Sequence, residues 1–252
     1  MVRANLQPHI MCGDGNIKKY VLLPGDPRRI PRICEHLENA EEVASNRSFL
    51  TWNGDYQGVS VTVTSTGIGG PSLAIAVHEL CNLGARTFIR VGSCGGLAEK
   101  VKIGDLIIPN GAVRDEGTSR AYVDAGYPAI PDFELMQALA ESAKKLDYRF
   151  HIGINRSHDS FYIPDILAVE GAWKKRNVIS EDLETATLFT ISGLIGVKAA
   201  SVLNAVVTYG QKPEAGISEY ALGNPSCEAG EKASIQVALT AIEMMARQNN
   251  VN

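Results

Sequence analysis

Short apolar runs alternate with longer segments of helical spacing along most of this chain. Residues 21–24 are continuously apolar and read as a buried strand, with a helix around 27–36 after it. Two β-rich stretches, 49–52 and 59–64, flank the polar, glycine-bearing segment 53–58 and predict a hairpin. Residues 67–72 form a glycine-rich turn, and 72–83 space their apolar positions for a helix. Residues 87–91 form a second buried strand that runs into the turn Gly92-Ser93-Cys94-Gly95-Gly96. Further strands are expected at 105–109, 150–154 and 199–207, and further helices at 132–146, 182–194 and 228–248. In the helix 132–146, Phe133, Met136, Leu139, Ala140 and Ala143 share the predicted apolar face.

Buried strands alternating with helices predict an α/β fold, one domain over residues 1–252 around a central parallel or mixed β-sheet flanked by helices. Such sheets bind ligands beyond the C-terminal ends of their strands. The glycines at 25, 67–70 and 92–96 all fall at predicted strand ends.

Composition narrows the function classes. A net charge of −4 argues against nucleic acid or an anionic membrane as the main partner, so any anion site must be a local gathering of arginine. Five cysteines without a CxxC pair read as reduced thiols of a cytoplasmic protein, with no zinc site. The start Met1-Val2-Arg3-Ala4-Asn5 has no apolar core of a secretory leader, and no apolar run approaches the ~20 residues of a membrane span.

Three constellations carry candidate chemistry. In Pro24-Gly25-Asp26-Pro27-Arg28-Arg29, a strand enters a glycine turn and two arginines follow. Free backbone N–H groups and guanidinium together would suit a small oxyanion; the plain alternative is a solvated turn. Arg90 sits inside the apolar run 87–91 and requires a partner, either an internal carboxylate or a ligand anion. The turn after it is neither GxGxxG nor a P-loop nor G-x-S-x-G, and Cys94 reads as a small buried thiol rather than a nucleophile. Glu181-Asp182-Leu183-Glu184 is read as opening a helix, where carboxylates complement the dipole or face sugar hydroxyls.

Together with Pro8-His9-Ile10, Asn46-Arg47, Ser65-Thr66-Gly67-Ile68-Gly69-Gly70-Pro71-Ser72, Phe161-Tyr162 and Glu184-Thr185-Ala186-Thr187, these segments resemble the nucleoside phosphorylase family of uridine phosphorylases and hexameric purine nucleoside phosphorylases. The resemblance spans nearly the whole chain, and the stretches 65–72 and 111–119 look more like the uridine branch. It implies cleavage of a nucleoside by inorganic phosphate, to free base and ribose 1-phosphate, with no cofactor and no metal. By resemblance, Gly25, Arg29, Arg90 and Ser93 bind phosphate, and Arg90, Glu184 and Arg29 carry catalysis. Arg47 would reach a neighbouring subunit's phosphate and His9 a neighbour's ribose, which implies a hexamer built as a trimer of dimers. Leu183 and Glu184 would hold the ribose, with Cys94, Gly95, Phe161, Asp165, Val206 and Val207 around the base. Ser48 stands where some relatives have a cation-binding glutamate.

The base end departs from the pattern. Asp165 and Leu167 fall where uridine phosphorylases have glutamine and arginine, and Val207 falls where purine members have aspartate. The expectation is a uridine-like substrate; the alternatives are a purine nucleoside, or a relative that binds nucleoside or base without turning it over. Retention of Arg29, Arg47 and Arg90 favours phosphorolysis over hydrolysis, which has no use for a phosphate cage.

Overall fold

The structure, a computed structural model, describes residues 5–251, with side chains to residue 248; the stretch 1–4 that was read for a leader lies outside them. The chain runs β1 (Tyr20–Pro24), α1 (Arg29–Cys34), β2 (Glu38–Asn46), β3 (Phe49–Tyr56), β4 (Val59–Thr64), α2 (Gly70–Asn82), β5 (Thr87–Gly96) and β6 (Leu106–Asp115). It continues through α3 (Thr118–Tyr122), α4 (Phe133–Lys145), β7 (Phe150–His158), α5 (Ile166–Lys174) and β8 (Val178–Asp182). The last elements are α6 (Thr185–Ile195), β9 (Lys198–Thr208), α7 (Pro213–Ala221) and α8 (Pro225–Val251).

The nine strands form one mixed sheet in the order β2-β3-β4-β1-β5-β8-β7-β6-β9, and β9 pairs again with β5. Five strands thus close into a ring, from β5 through β8, β7, β6 and β9 back to β5, and the rest extend from it as an open sheet. Strands β1, β5 and β9 run parallel, so their C-terminal ends lie side by side. Alternation along β1 divides the core: Tyr20 and Leu22 join the cluster under α1, α4 and α8, while Val21 and Leu23 join the one under α2 and α6.

Several predicted boundaries are corrected. The segment 53–58 is mostly strand, and the turn is only Gln57-Gly58, both at positive φ (49° and 81°), as a two-residue type I′ hairpin demands. Gly92–Gly96 is no turn but the second half of β5. The helix expected from 182 begins at Thr185, and the preceding Val178–Asp182 is a fully buried strand. Phe133 is 70% exposed, because Asp132 caps α4 and fixes a stripe through Leu135, Ala138, Leu139, Ser142 and Ala143 as the buried face. Strand β2 escaped the hydrophobic pattern because it is a polar, largely exposed edge.

Gly92 is where the fold makes room for Arg90. A Cβ built there would lie 2.7 Å from Leu203 and 2.8 Å from the Arg90 guanidinium carbon. Gly92→Ala is therefore expected to destabilise the protein by about 1–3 kcal/mol in urea denaturation and to disturb Arg90 itself.

Candidate active site

A cavity of about 960 Å³ opens where β1, β5 and β9 end and where β8 turns into α6. Its lining brings together Gly25, Arg29, Arg90, Ser93, Cys94, Gly95, Phe161, Leu183, Glu184, Val206 and Val207, residues drawn from chain segments far apart in sequence.

Arg90 stands on the fully buried stretch of β5, with its side chain 4% exposed. Its Nε donates to Asp182 Oδ2 at 3.0 Å, and Nη2 lies 2.5 Å from Glu184 Oε2. Nη1 is buried and makes no hydrogen bond within the chain. It faces Gly25, where an added Cβ would come within 3.9 Å of it. Burial alone would pull the Arg90 pKa down, but Glu184 and Asp182 reverse this and hold it above its ordinary value. A fixed cation whose buried Nη1 group is left without a partner is suited to an anion entering the cavity.

Asp182, read in sequence as part of a helix start, is the buried hub that fixes this arginine. It also accepts from Asn155 Nδ2 (2.8 Å), Ser157 Oγ (2.6 Å) and Thr185 Oγ1 (2.6 Å). Glu184 takes the N-cap position of α6, with Oε1 accepting from the Gly69 amide at 2.6 Å. Burial pushes the Glu184 carboxyl up, against the pull of Arg90.

Arg29 is more deeply committed than its motif suggested. Nε donates to Glu231 Oε2 (3.0 Å), Nη1 to the Val91 carbonyl (2.6 Å), and Nη2 to Ser93 Oγ (3.0 Å) and Tyr220 Oη (2.6 Å). Four of its five N–H donors are thereby used. Tyr220 also donates to Glu231, which lies 2.5 Å from Arg32 as well. Two of the turn's amides are not free, since those of Arg28 and Arg29 go to Asp26. The start of α1 therefore offers an anion less than the guanidinium groups beside it do. Arg28 is exposed and paired with Asp26.

His9, Arg47 and Asp165 do not line this cavity. Glu79 accepts from the amides of His9 and Ile10 and holds His9 Nδ1 at 2.6 Å, so Nε2 is the nitrogen able to reach outward. Arg47 is exposed at positive φ (54°) in the β2–β3 turn, and it is the adjacent Ser48 that lines the cavity. Asp165 is exposed at the head of α5, and Ile166 takes the place at the wall. Burial and the nearby acids push the Cys94 thiol far up, which suits a packed thiol and not a nucleophile.

Sequence reasoning missed Tyr220, Glu231, His158 and Glu170. One signal was present for Glu231: it falls four residues after Cys227 and four before Ile235, on the buried stripe of α8. His158, Glu170 and Glu181 also line the cavity. Burial, then Glu181, pushes the Glu170 carboxyl from its ordinary 4.5 up to about 7. Among the described residues, no group of three or more His, Cys, Asp or Glu side chains is arranged to hold a metal ion. No described helix is long and apolar enough to cross a membrane.

Residues 19–214 match the family model described as the phosphorylase superfamily. The chain belongs to that family. It is 41% identical to uridine phosphorylase of Thermococcus kodakarensis over 96% of this chain and 87% of that one. It is 37% identical to guanosine phosphorylase of Halorubrum lacusprofundi, over 78% of this chain and 81% of that one. The crystal structure of uridine phosphorylase from Vibrio fischeri superimposes with a TM-score of 0.88 at 39% identity, covering 94% of this chain and 96% of that one. The mixed sheet flanked by helices is thus the family's fold, and the family's members are enzymes that transfer a pentosyl group.

Removing Asp182 leaves a buried guanidinium short of charge. Asp182→Ala is expected to cost about 3–5 kcal/mol in urea denaturation. Glu170 gives a pH signature. Its folded pKa is raised, so its contribution to stability is complete below about pH 4.5 and is lost as pH rises through about 7. The melting temperature of the native protein is therefore expected to fall relative to Glu170→Gln between pH 5 and 8; parallel curves would refute this.

Proposed function

We propose that this protein cleaves uridine or a related pyrimidine nucleoside by phosphorolysis, giving free base and (deoxy)ribose 1-phosphate. The observation that carries this reading is the unpartnered, buried Nη1 of Arg90, in a cavity whose walls also present Glu184 and Leu183. Phosphate rests on Arg90, Ser93, Gly25 and the remaining donor of Arg29. Glu184 accepts from ribose hydroxyls and Leu183 packs beneath the sugar.

A phosphate oxygen attacks C1′ as the N-glycosidic bond breaks, and the bonding pair leaves with the base. The sugar carries oxocarbenium character between the two, as in glycoside cleavage generally. Arg90 fixes the nucleophile, and the low-dielectric walls strengthen its hold. The residues need no cofactor beyond inorganic phosphate as co-substrate.

The site is completed in this reading by a second subunit. His9 and Arg47 would serve a neighbour's cavity, within a hexamer built as a trimer of dimers. The outward Nε2 of His9 supports this, as does the exposed, left-handed Arg47, a conformation that costs about 1 kcal/mol or more and serves no contact described within its own chain. A cytoplasmic place in nucleoside salvage fits such a reaction. The resemblance to a guanosine phosphorylase brings a second candidate substrate, a 6-oxopurine nucleoside.

Base release from uridine, thymidine, cytidine, inosine and adenosine is expected to require phosphate. Release without phosphate would indicate hydrolysis, and no release at all would indicate a binding protein. Arg90→Lys, which keeps the charge but loses the fork, is expected to lower kcat/KM about 10²–10³-fold. Subunits carrying Arg47→Ala, mixed and reassembled with subunits carrying Arg90→Lys, are expected to regain activity. Two inactive parents giving an inactive mixture would exclude shared sites.

A further inference from the structure

One wall of the cavity is built from four strands in register. Val207 on β9 pairs with Gly95 on β5, Gly95 pairs with Glu181 on β8, and Glu181 pairs with Arg156 on β7. Glu181 therefore stands beside the residues assigned to the base by resemblance. Glu170 of α5 and His158 at the end of β7 line the same wall. None of these three was singled out as a base contact in the sequence.

Arg156 stands behind this wall and fixes its charge. Its Nη1 donates to Glu181 Oε2 at 2.8 Å and its Nε to Asp115 Oδ2 at 2.8 Å, with the guanidinium 5.6 Å from the Trp173 ring centre. Glu181 is thereby held in one orientation. Arg156 alone already faces two acids, Asp115 and Glu181, so Glu170, packed against Glu181, adds a third acid to one guanidinium. Two carboxyls in contact favour keeping a proton on one of them. His158 Nε2 is 3.8 Å from Glu181 Oε2, too far for a hydrogen bond, and its buried Nδ1 makes none of good geometry within the chain. The wall thus holds a carboxylate fixed by Arg156, a second carboxyl hydrogen-bonded to it that keeps its proton more readily than usual, and an imidazole whose Nε2 stands 3.8 Å from the first.

We propose that Glu181, Glu170 and His158 form the base-reading site and select bases that present a ring N–H beside a carbonyl on the edge away from the sugar-bearing nitrogen. This rests on the phosphorylase reading and names its substrate class. The Glu181 carboxylate accepts from the ring N–H, N3–H in uracil or N1–H in hypoxanthine and guanine. The Glu170 carboxyl or the His158 imidazole donates to the adjoining carbonyl oxygen. Cytosine and adenine turn a lone pair to the carboxylate at the same place, and a site with buried polar groups left unpaired rejects them strongly.

The test is calorimetric binding of uracil, cytosine, hypoxanthine and adenine to the full-length protein with phosphate present. Uracil, hypoxanthine or both are expected to bind at least tenfold more tightly than cytosine and adenine. Glu181→Gln should erase that preference while leaving phosphate affinity within twofold. If that variant fails to fold, Glu170→Ala serves in its place and should shrink the preference by at least threefold. No preference in the native protein, no binding of any of the four bases, or a preference untouched by the variant overturns the proposal. Binding is read without turnover, so an intact preference in a protein that releases no base would count against phosphorolysis and not against this site.

Discussion

A guanidinium buried in the middle of a sheet needs counter-charge on every side, and Arg90 sets that requirement for the centre of this protein. Two of its nitrogens are met by Asp182 and Glu184. Those two residues lie where β8 ends and α6 begins, so the charge pairing also fixes how that corner is built. Asp182 in turn organises Asn155, Ser157 and Thr185. Gly92 is bare of side chain so that the guanidinium can lie against the strand. The third nitrogen is left without a partner in the chain, and a ligand anion is the natural complement. In the proposed reading, stability and ligand binding therefore draw on the same side chain, and the pairings that hold the core would also hold the anion site.

Much of this arrangement was legible in the sequence, for reasons that differ by element. Strands β1 and β5 are buried on both faces, so they read as apolar runs, and an arginine inside such a run stands out at once. Strand β2 was illegible because an exposed edge has no hydrophobic pattern. Helices α5 and α7 are short and only partly buried, which leaves their periodicity weak. The join at 181–184 misled because carboxylates before an apolar helical run look like caps. Here Glu181 and Asp182 still belong to a strand and answer arginines on its neighbours.

The two ends of the cavity were legible to different degrees. Where phosphate and ribose are proposed to bind, the lining residues lie in compact motifs, and motifs survive reading one segment at a time. Where the base is proposed to bind, each lining residue comes from a different strand or helix: His158, Glu170, Glu181, Val207. Only the register across β9, β5, β8 and β7 brings them to one place. Burial of charge behind that wall, with Arg156 between Asp115 and Glu181, is likewise a property of the closed ring of strands and of no single segment.

The pairing of Arg29 with Glu231 joins residues 202 positions apart, one just after the first strand and the other on the last helix. Synthesis runs from the N-terminus, and chains begin to organise as they emerge. Arg29, Ser93 and Arg90 are made early, and the carboxylate that orients Arg29 follows only on α8. In the proposed reading the anion site therefore stays misaligned until α8 packs on the sheet. The same helix fills the core beneath β1 with Ile235, Leu239 and Ile242, so completion of the core and alignment of Arg29 arrive together.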